Sequence, residues 1–437
     1  MGGPSATEVD HALHRLRHLL PPTEVDALQP MGPAAVFTAA VTLHLMIFQR
    51  LHPNASLQRA VDHLLDPACP DHRPDRPLST NTAAYSQART RLKADVCHTV
   101  ADRLAGQLIA AHPPSWNGRR VFILDGTTIA TRHTPDLVRA FPPPTNQHGT
   151  SHWPLCRLVV AHELASGCAL RPEHGPPTDD EVSLAVRLLD RVPPGSLLLA
   201  DRNFGIFAFH FTAAARGFDV LTRLTAARFH ALRRSARPDA DGGWVLDWRP
   251  TRHDRRGHRE WAADVSVRVW LHEVRVRADL TLFLVSTTRG TGAEWAELYA
   301  QRTDGETDIA NVKVVLKLDQ TRAGSADVWA KELVVGYLTY NVVVQLRRLA
   351  AAKAKVPPRR LSFSGAASLV TQLLWGATRT TEEWAALFER LLVGMGQRKI
   401  PRRPGRSYPR TVIPRRRKHP LGVPHAKTAK TQPNATK

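Results

Sequence analysis

The stretch RRVFILDGTTIA, residues 119–130, decides the fold. Four apolar residues, Val121, Phe122, Ile123 and Leu124, run straight into Asp125 and a polar Gly-Thr-Thr turn. A short apolar run closed by turn residues reads as a buried strand. Working outward, LCRLVVAHEL (155–164) and GCALRPE (167–173) read as two more strands, and DDEVSLAVRLLDRV (179–192) as a helix. GSLLLADRNF (195–204) is a fourth strand, FGIFAFHFTAAARG (204–217) a helix, and FDVLTRL (218–224) a fifth strand. The order β-β-β-α-β-α-β predicts a mixed α/β core.

The flanks read differently. Upstream, TEVDHALHRLRHLL (7–20) has helical spacing with Thr7 as its cap. An apolar run (33–48), ASLQRAVDHLL (55–65) and one long helix over 81–112 follow, interrupted by a Pro-, Asp- and Arg-rich loop at 67–78. Downstream, residues 226–288 read as several antiparallel strands, an inserted β-rich subdomain. Helices return from residue 289, with a long one beginning at Ala326 and a pair at 362–396. The tail, including RKIPRRPGRSYPRTVIPRRRKHP (398–420), is rich in Arg, Lys and Pro. Such a segment is expected to be disordered alone and to order on nucleic acid.

Lys and Arg number 60 against 39 Asp and Glu in 437 residues, a formal net charge of +21. That surplus points to a polyanionic partner, nucleic acid ahead of a membrane surface. The apolar run at 33–48 is shorter than the ~20 residues of a spanning helix and contains His44. With no apolar leader at the start, the chain is expected in the cytoplasm, beside the nucleoid. The four cysteines, Cys69, Cys97, Cys156 and Cys168, are too few and too dispersed for a disulfide framework. A zinc site from Cys69, His72, Cys97 and His98 fits no strong ligand spacing.

Asp125 ends the run VFIL, and Asp201 ends LLLA. Carboxylates placed directly after buried strand residues are costly without a partner, and strand ends of an α/β sheet are where ligands gather. Two of them in a basic protein make a site for a hard divalent cation. A pair of such ions about 4 Å apart suits phosphodiester chemistry but needs a third carboxylate. The stretch YAQRTDGETDIANVK (299–313) offers Asp304, Glu306 and Asp308.

Within that stretch Tyr299, Arg302, Glu306 and Lys313 fit Y-x2-R-x3-E-x6-K without a gap. This resembles the signature of the IS4-type bacterial transposases, members of the DDE transposase group. LDGTT around Asp125 resembles their first-Asp motif, and LLLADRNFGIFAF (197–209) their second, usually D-R-G-F. AYSQARTRL (84–92) resembles an N-terminal family segment. ADVWAKELVVGYLTYNVVVQL (326–346) resembles the segment after the Glu helix, with Glu332, Tyr340 and Asn341 at family positions. The resemblance runs from about residue 80 to 350 and implies an RNase H-like core interrupted by a β-rich insertion. It divides the chain into a helical DNA-binding region (1–115), a first core segment (116–225), the insertion (226–288), a second core segment with the Glu helix (289–355), and C-terminal helices with a basic tail (356–437).

The resemblance further implies that Asp125, Asp201 and Glu306 are catalytic and bind two Mg2+, with Mn2+ an alternative. Tyr299, Arg302, Lys313 and Arg202 would contact DNA. Partners would be transposon ends, target DNA and a second copy of the chain on paired ends. On a continuous helix residues 299, 302, 306 and 313 share one face, which leaves Asp304 and Asp308 solvated. The text departs from the family's R-W-x-I-E at Thr303 and Gly305, and Asn203 replaces a Gly. A mid-helix Gly costs on the order of 1 kcal/mol relative to Ala. Two other functions fit the same core: a metal-dependent nuclease that cuts without joining, and a catalytically dead, domesticated DNA-binding derivative. Trp244, Trp248 and Trp261 read as structural rather than base-stacking residues. His148, His152 and His162 read as incidental to catalysis.

Overall fold

In a computed structural model the run Val121–Leu124 forms the first half of strand β1 (Val121–Ala130). The structure describes residues 21–400 except 33, 53–54, 66–80, 147–148 and 375–380. The expected first helix (7–20), the loop at 67–78 with Cys69 and His72, His148, and the tail beyond residue 400 therefore lie outside the described residues. After α1 (Pro22–Leu28) come α2 (Ala39–Leu51), α3 (Leu57–His63), α4 (Ala83–Arg91) and α5 (Ala94–Ala110). The helix expected over 81–112 is thus two helices. Leu92 and Lys93 separate them in extended backbone, ψ 121° and 139°.

Behind β1 follow α6 (Pro135–Ala140), a small hairpin β2 (Thr145–Asn146) and β3 (Gly149–Thr150), then β4 (Leu155–Glu163) and β5 (Glu173–Gly175). Next are α7 (Glu181–Leu188), β6 (Leu197–Ala200), α8 (Phe207–Ala215), β7 (Asp219–Arg223) and α9 (Ala226–Arg233). The insertion holds β8 (Arg237–Pro238), β9 (Trp244–Trp248), α10 (Arg252–Gly257), β10 (Val267–Arg277) and β11 (Leu280–Ser286). The chain returns through α11 (Gly292–Ala300), α12 (Thr303–Ala310), α13 (Ala326–Lys353), α14 (Phe363–Leu374) and α15 (Thr381–Gln397).

One nine-stranded sheet has the order β5-β4-β1-β6-β7-β11-β10-β9-β8. β1, β6 and β7 are parallel neighbours, β4 runs antiparallel to β1, and β11 antiparallel to β7. This is the mixed sheet of an RNase H-like core with helical flanks. The insertion does not form a sheet of its own. Its strand β11 pairs with β7 (Leu284↔Arg223, Val285↔Thr222, Ser286↔Leu221), so β8–β11 extend the core sheet. Period-2 patterning signalled strands there, but which neighbour an edge pairs with is not written in the pattern.

Helices cover both faces of the parallel strands, which is why those strands read as unbroken apolar runs. Phe122, Leu124, Leu198 and Ala200 join the larger core with α13, whose Trp329, Leu333 and Tyr340 are fully buried. The alternate residues Val121, Ile123, Leu197 and Leu199 join a second core with Trp295, Leu298 and Tyr299 of α11. Among the described residues no helix is long and apolar enough to cross a membrane.

Candidate active site

Parallel pairing of β1 and β6 ends at Leu124↔Ala200, so Asp125 and Asp201 are the next residue on each strand. Adjacent strands lie about 4.8 Å apart. By strand alternation both side chains project to the face of Val121, Ile123, Leu197 and Leu199, the face that α11 covers. Asp125 is not at a strand end, as its motif suggested. β1 continues to Ala130 against β4, with Asp125 opposite Val160. It is the end of β6 that opens the place beside Asp125. Asp201 Oδ1 accepts from the backbone N–H of Asn203 (2.8 Å), an Asx turn.

The Glu306 segment is not one helix. At its first break Arg302 N donates to Tyr299 O, Asp304 N to Gln301 O and Gly305 N to Arg302 O, at 3.0 Å each. These i→i−3 bonds tighten the turn between α11 and α12. A π-turn over Asn311–Val315, closed by Leu316 N on Asn311 O (3.2 Å), then widens it. The single face expected for residues 299, 302, 306 and 313 therefore does not exist as drawn.

Each residue nevertheless has a place at the carboxylates or next to them. Arg302 Nη2 donates to Glu306 Oε1 (2.7 Å), and the Glu306 side chain is 51% exposed. Lys313 Nζ donates to Thr127 Oγ1 (3.0 Å) and to the Thr128 carbonyl (2.9 Å), on the part of β1 beyond Asp125. Arg202 is exposed directly after Asp201. Tyr299, expected at DNA, has its ring in the core and is 9% exposed. Burial raises its hydroxyl above the ordinary value, with Arg302 opposing and Asp201 adding to the rise.

Burial pushes the Asp125 carboxyl up to about 6; Arg302 and the Gly126 N–H oppose this, and the charges of Asp201 and Glu306 add to it. The three acidic residues thus share one electrostatic neighbourhood with one guanidinium among them. Their oxygen-only donor chemistry fits a hard divalent cation. Among the described residues, however, no group of three His, Cys, Asp or Glu converges closely enough to hold a metal ion. Glu306 is paired with Arg302 instead.

Two residues expected in solvent are not. Asp308 is fully buried: Arg359 Nη2 donates to its Oδ2 (2.6 Å), and Arg347 Nη2 lies 4.0 Å from Oδ1. Asp304 pairs with Arg359 Nη1 (3.2 Å). Arg359 stands in the 3-10 turn Pro358–Arg360 after α13 and so clamps the acidic residues on either side of Glu306. Sequence reasoning missed this clamp, because nothing in local spacing ties residue 308 to residue 359.

Gly305 also changes meaning. A Cβ there would stand 2.7 Å from Cγ2 of Ile123, two residues before Asp125. The glycine lets the α12 backbone approach β1 at Ile123, so the residue read as a departure from the family is a close packing contact. Gly305→Ala gains helix propensity of about 1 kcal/mol but overpacks by about 1–3 kcal/mol. Urea denaturation is expected to show net destabilisation; an unchanged or raised midpoint would contradict the close packing.

The remaining candidates are structural. Trp248 is 5% exposed, Trp261 stacks on His258 (4.0 Å), and Trp244 lies under Arg233 (3.9 Å). His162 is fully buried, and burial pulls it down to about 4. His152 rests on Trp153 and His133. Burial pushes the Cys97 thiol up to about 12.

A family model described as a transposase DDE domain matches residues 116–342. No curated protein matches the chain.

Proposed function

The chain belongs to the transposase DDE domain family, and from that membership we propose an IS4-type transposase that cleaves transposon ends and joins them to target DNA. Membership itself makes it a transposase of the nuclease type, with DNA as substrate, in a family that generally uses divalent metal ions. What supports the finer reading is that Asp125 and Asp201 each follow the last β1–β6 pair, Leu124↔Ala200, with Glu306 on a helix that touches β1 through Gly305.

In this reading Asp125, Asp201 and Glu306 hold two Mg2+, and Glu306 exchanges Arg302 for the cation. Bound divalent ions supply a water of lowered pKa and charge stabilisation at the leaving oxygen. The rest falls to the chain. Arg302, once released, and Lys313 and Arg202 bind phosphates flanking the cut. Tyr299 backs Arg302 from the core. In the first step a water oxygen bonds to phosphorus, the P–O3′ bond breaks, and the 3′ oxygen leaves as a hydroxyl. In the second that 3′ oxygen attacks a target phosphodiester and displaces a target 3′ oxygen. A second copy of the chain on the paired end completes the proposed assembly.

The decisive assay offers end DNA and target DNA together. Joined products support transposition. Cleavage without joining identifies a nuclease, and binding without cleavage a dead derivative, a reading the Arg302–Glu306 pair alone favours.

The raised Asp125 gives a pH test. Proton and cation compete for its carboxylate, so at subsaturating metal the rate is expected to fall as pH drops through about 6, and more metal should move that fall to lower pH. In metal-free protein the sign for stability is opposite. Because the folded carboxyl titrates above its ordinary 3.8, stability is full below that value and is lost as pH rises through about 6. A divalent cation should restore it. A fall whose midpoint does not move with metal concentration would mean that Asp125 does not hold the cation.

A further inference from the structure

Away from the aspartates, buried charge collects where α2, α4 and α13 meet. Glu332 of α13 accepts from Arg50 of α2 (3.2 Å) and from Arg89 of α4, all three nearly excluded from solvent. A cleft of about 20 Å³ opens on this triad and is also lined by Gln49, Lys317 and Arg322. Among the described residues two buried cations, Arg50 and Arg89, face the one buried carboxylate, and partly buried Lys317 and exposed Arg322 add charge at the opening. Burial holds the Arg50 guanidinium below its ordinary value; Glu332 opposes that, and Arg89 and Arg322 reinforce it. The Nε of Arg89, a residue 6% exposed, donates to nothing. Gln49 Oε1 accepts from Tyr85 Oη (2.8 Å), which leaves the amide nitrogen as its remaining polar group. Ala55 and Gln320 complete the lining; the Ala55 carbonyl accepts from Arg322 Nη1 (3.2 Å), and donors outnumber acceptors.

Unbalanced buried charge is costly, and an anion relieves it. Size selects which anion. The cleft admits about one water-sized group. A non-bridging phosphate oxygen has that size, whereas an engulfed phosphate does not. Position selects its source. Lys317 follows Lys313, whose Nζ is fixed on β1 beyond Asp125, so one short segment runs from the candidate active site to the cleft. Lys317 also has φ 53°, a left-handed backbone that a lysine seldom adopts and that it shares with Lys355.

We propose that this cleft takes a non-bridging oxygen of a DNA backbone phosphate away from the scissile position, gripped by Lys317 and Arg322 at its mouth and by Arg50 and Arg89 at its floor. The proposal rests on the transposase reading for the source of the phosphate.

The test compares the full chain with Lys317→Gln/Arg322→Gln, which leaves the buried triad intact. Binding to a duplex carrying the DNA that flanks the gene is measured in EDTA across salt concentrations, so no cleavage is involved. Loss of one phosphate contact lowers the slope of log K against log salt by about 0.9 and weakens binding roughly eightfold near 0.1 M salt. Arg139→Gln/Arg216→Gln removes equal charge from two ion pairs elsewhere and should leave the slope unchanged. An unaltered slope in the Lys317/Arg322 variant, or an equal fall in the control, overturns the proposal. Thermal unfolding with inorganic phosphate separates the other source. A phosphate-induced rise lost in the variant while its DNA slope stays normal makes the cleft a free-anion site, which also overturns it. Wild-type chain that binds no DNA sinks both this proposal and the transposase reading; a normal variant slope sinks only this one.

Discussion

Alanine at Asp125, Asp201 or Glu306 is expected to lower metal-dependent end cleavage at least about a thousandfold while end binding in EDTA stays within about twofold. The separation follows from position. Asp125 and Asp201 sit side by side past the last β1–β6 pair, and Glu306 has half its side chain in solvent, so none of them is a major source of core packing. Asp125→Ala even removes a carboxyl whose ionisation burial opposes, so the folded chain should lose no stability above pH ~6. Single-turnover cleavage of a labelled end reads the effect. Nicking that persists in all three variants would take the chemistry away from this site.

Asp308→Ala is expected to cost about 3–5 kcal/mol, the largest stability effect of any acidic substitution in α12. The carboxylate is fully buried and bonded to Arg359, with Arg347 facing it at 4% side-chain exposure. Its removal leaves buried Arg347 without a counter-charge and Arg359 with only the partly exposed Asp304. Asp304→Ala touches the same Arg359 from a side chain 34% exposed and should cost under about 1 kcal/mol. Guanidinium chloride denaturation distinguishes them, and equal costs would mean the clamp is not anchored at Asp308. A destabilised α12 should also raise the metal concentration that half-saturates cleavage, because Glu306 lies between the two clamped residues.

The core was legible because strands covered on both faces leave unbroken apolar runs, and VFIL and LLLA did so directly before an aspartate. Less was legible around Glu306. Periodicity assumed one helix, whereas a tight turn at Arg302 and a π-turn at Asn311 shift every face drawn on it. Asp308 looked solvated because its partners are 39 and 51 residues away in sequence, at Arg347 and Arg359. Gly305 looked like damage because its reason, the Ile123 methyl, lies on another element.

The pairing of β11 with β7 makes the inserted segment irremovable. A module tethered at its two ends can be trimmed away, but here excision of residues 226–288 would strip β7 of its neighbour and turn the middle of the sheet into a raw border. Unpaired N–H and C=O groups on such a border recruit other chains into aggregates. A smaller version of this enzyme would need a replacement strand along β7, since β7 shields β6, the strand that presents Asp201.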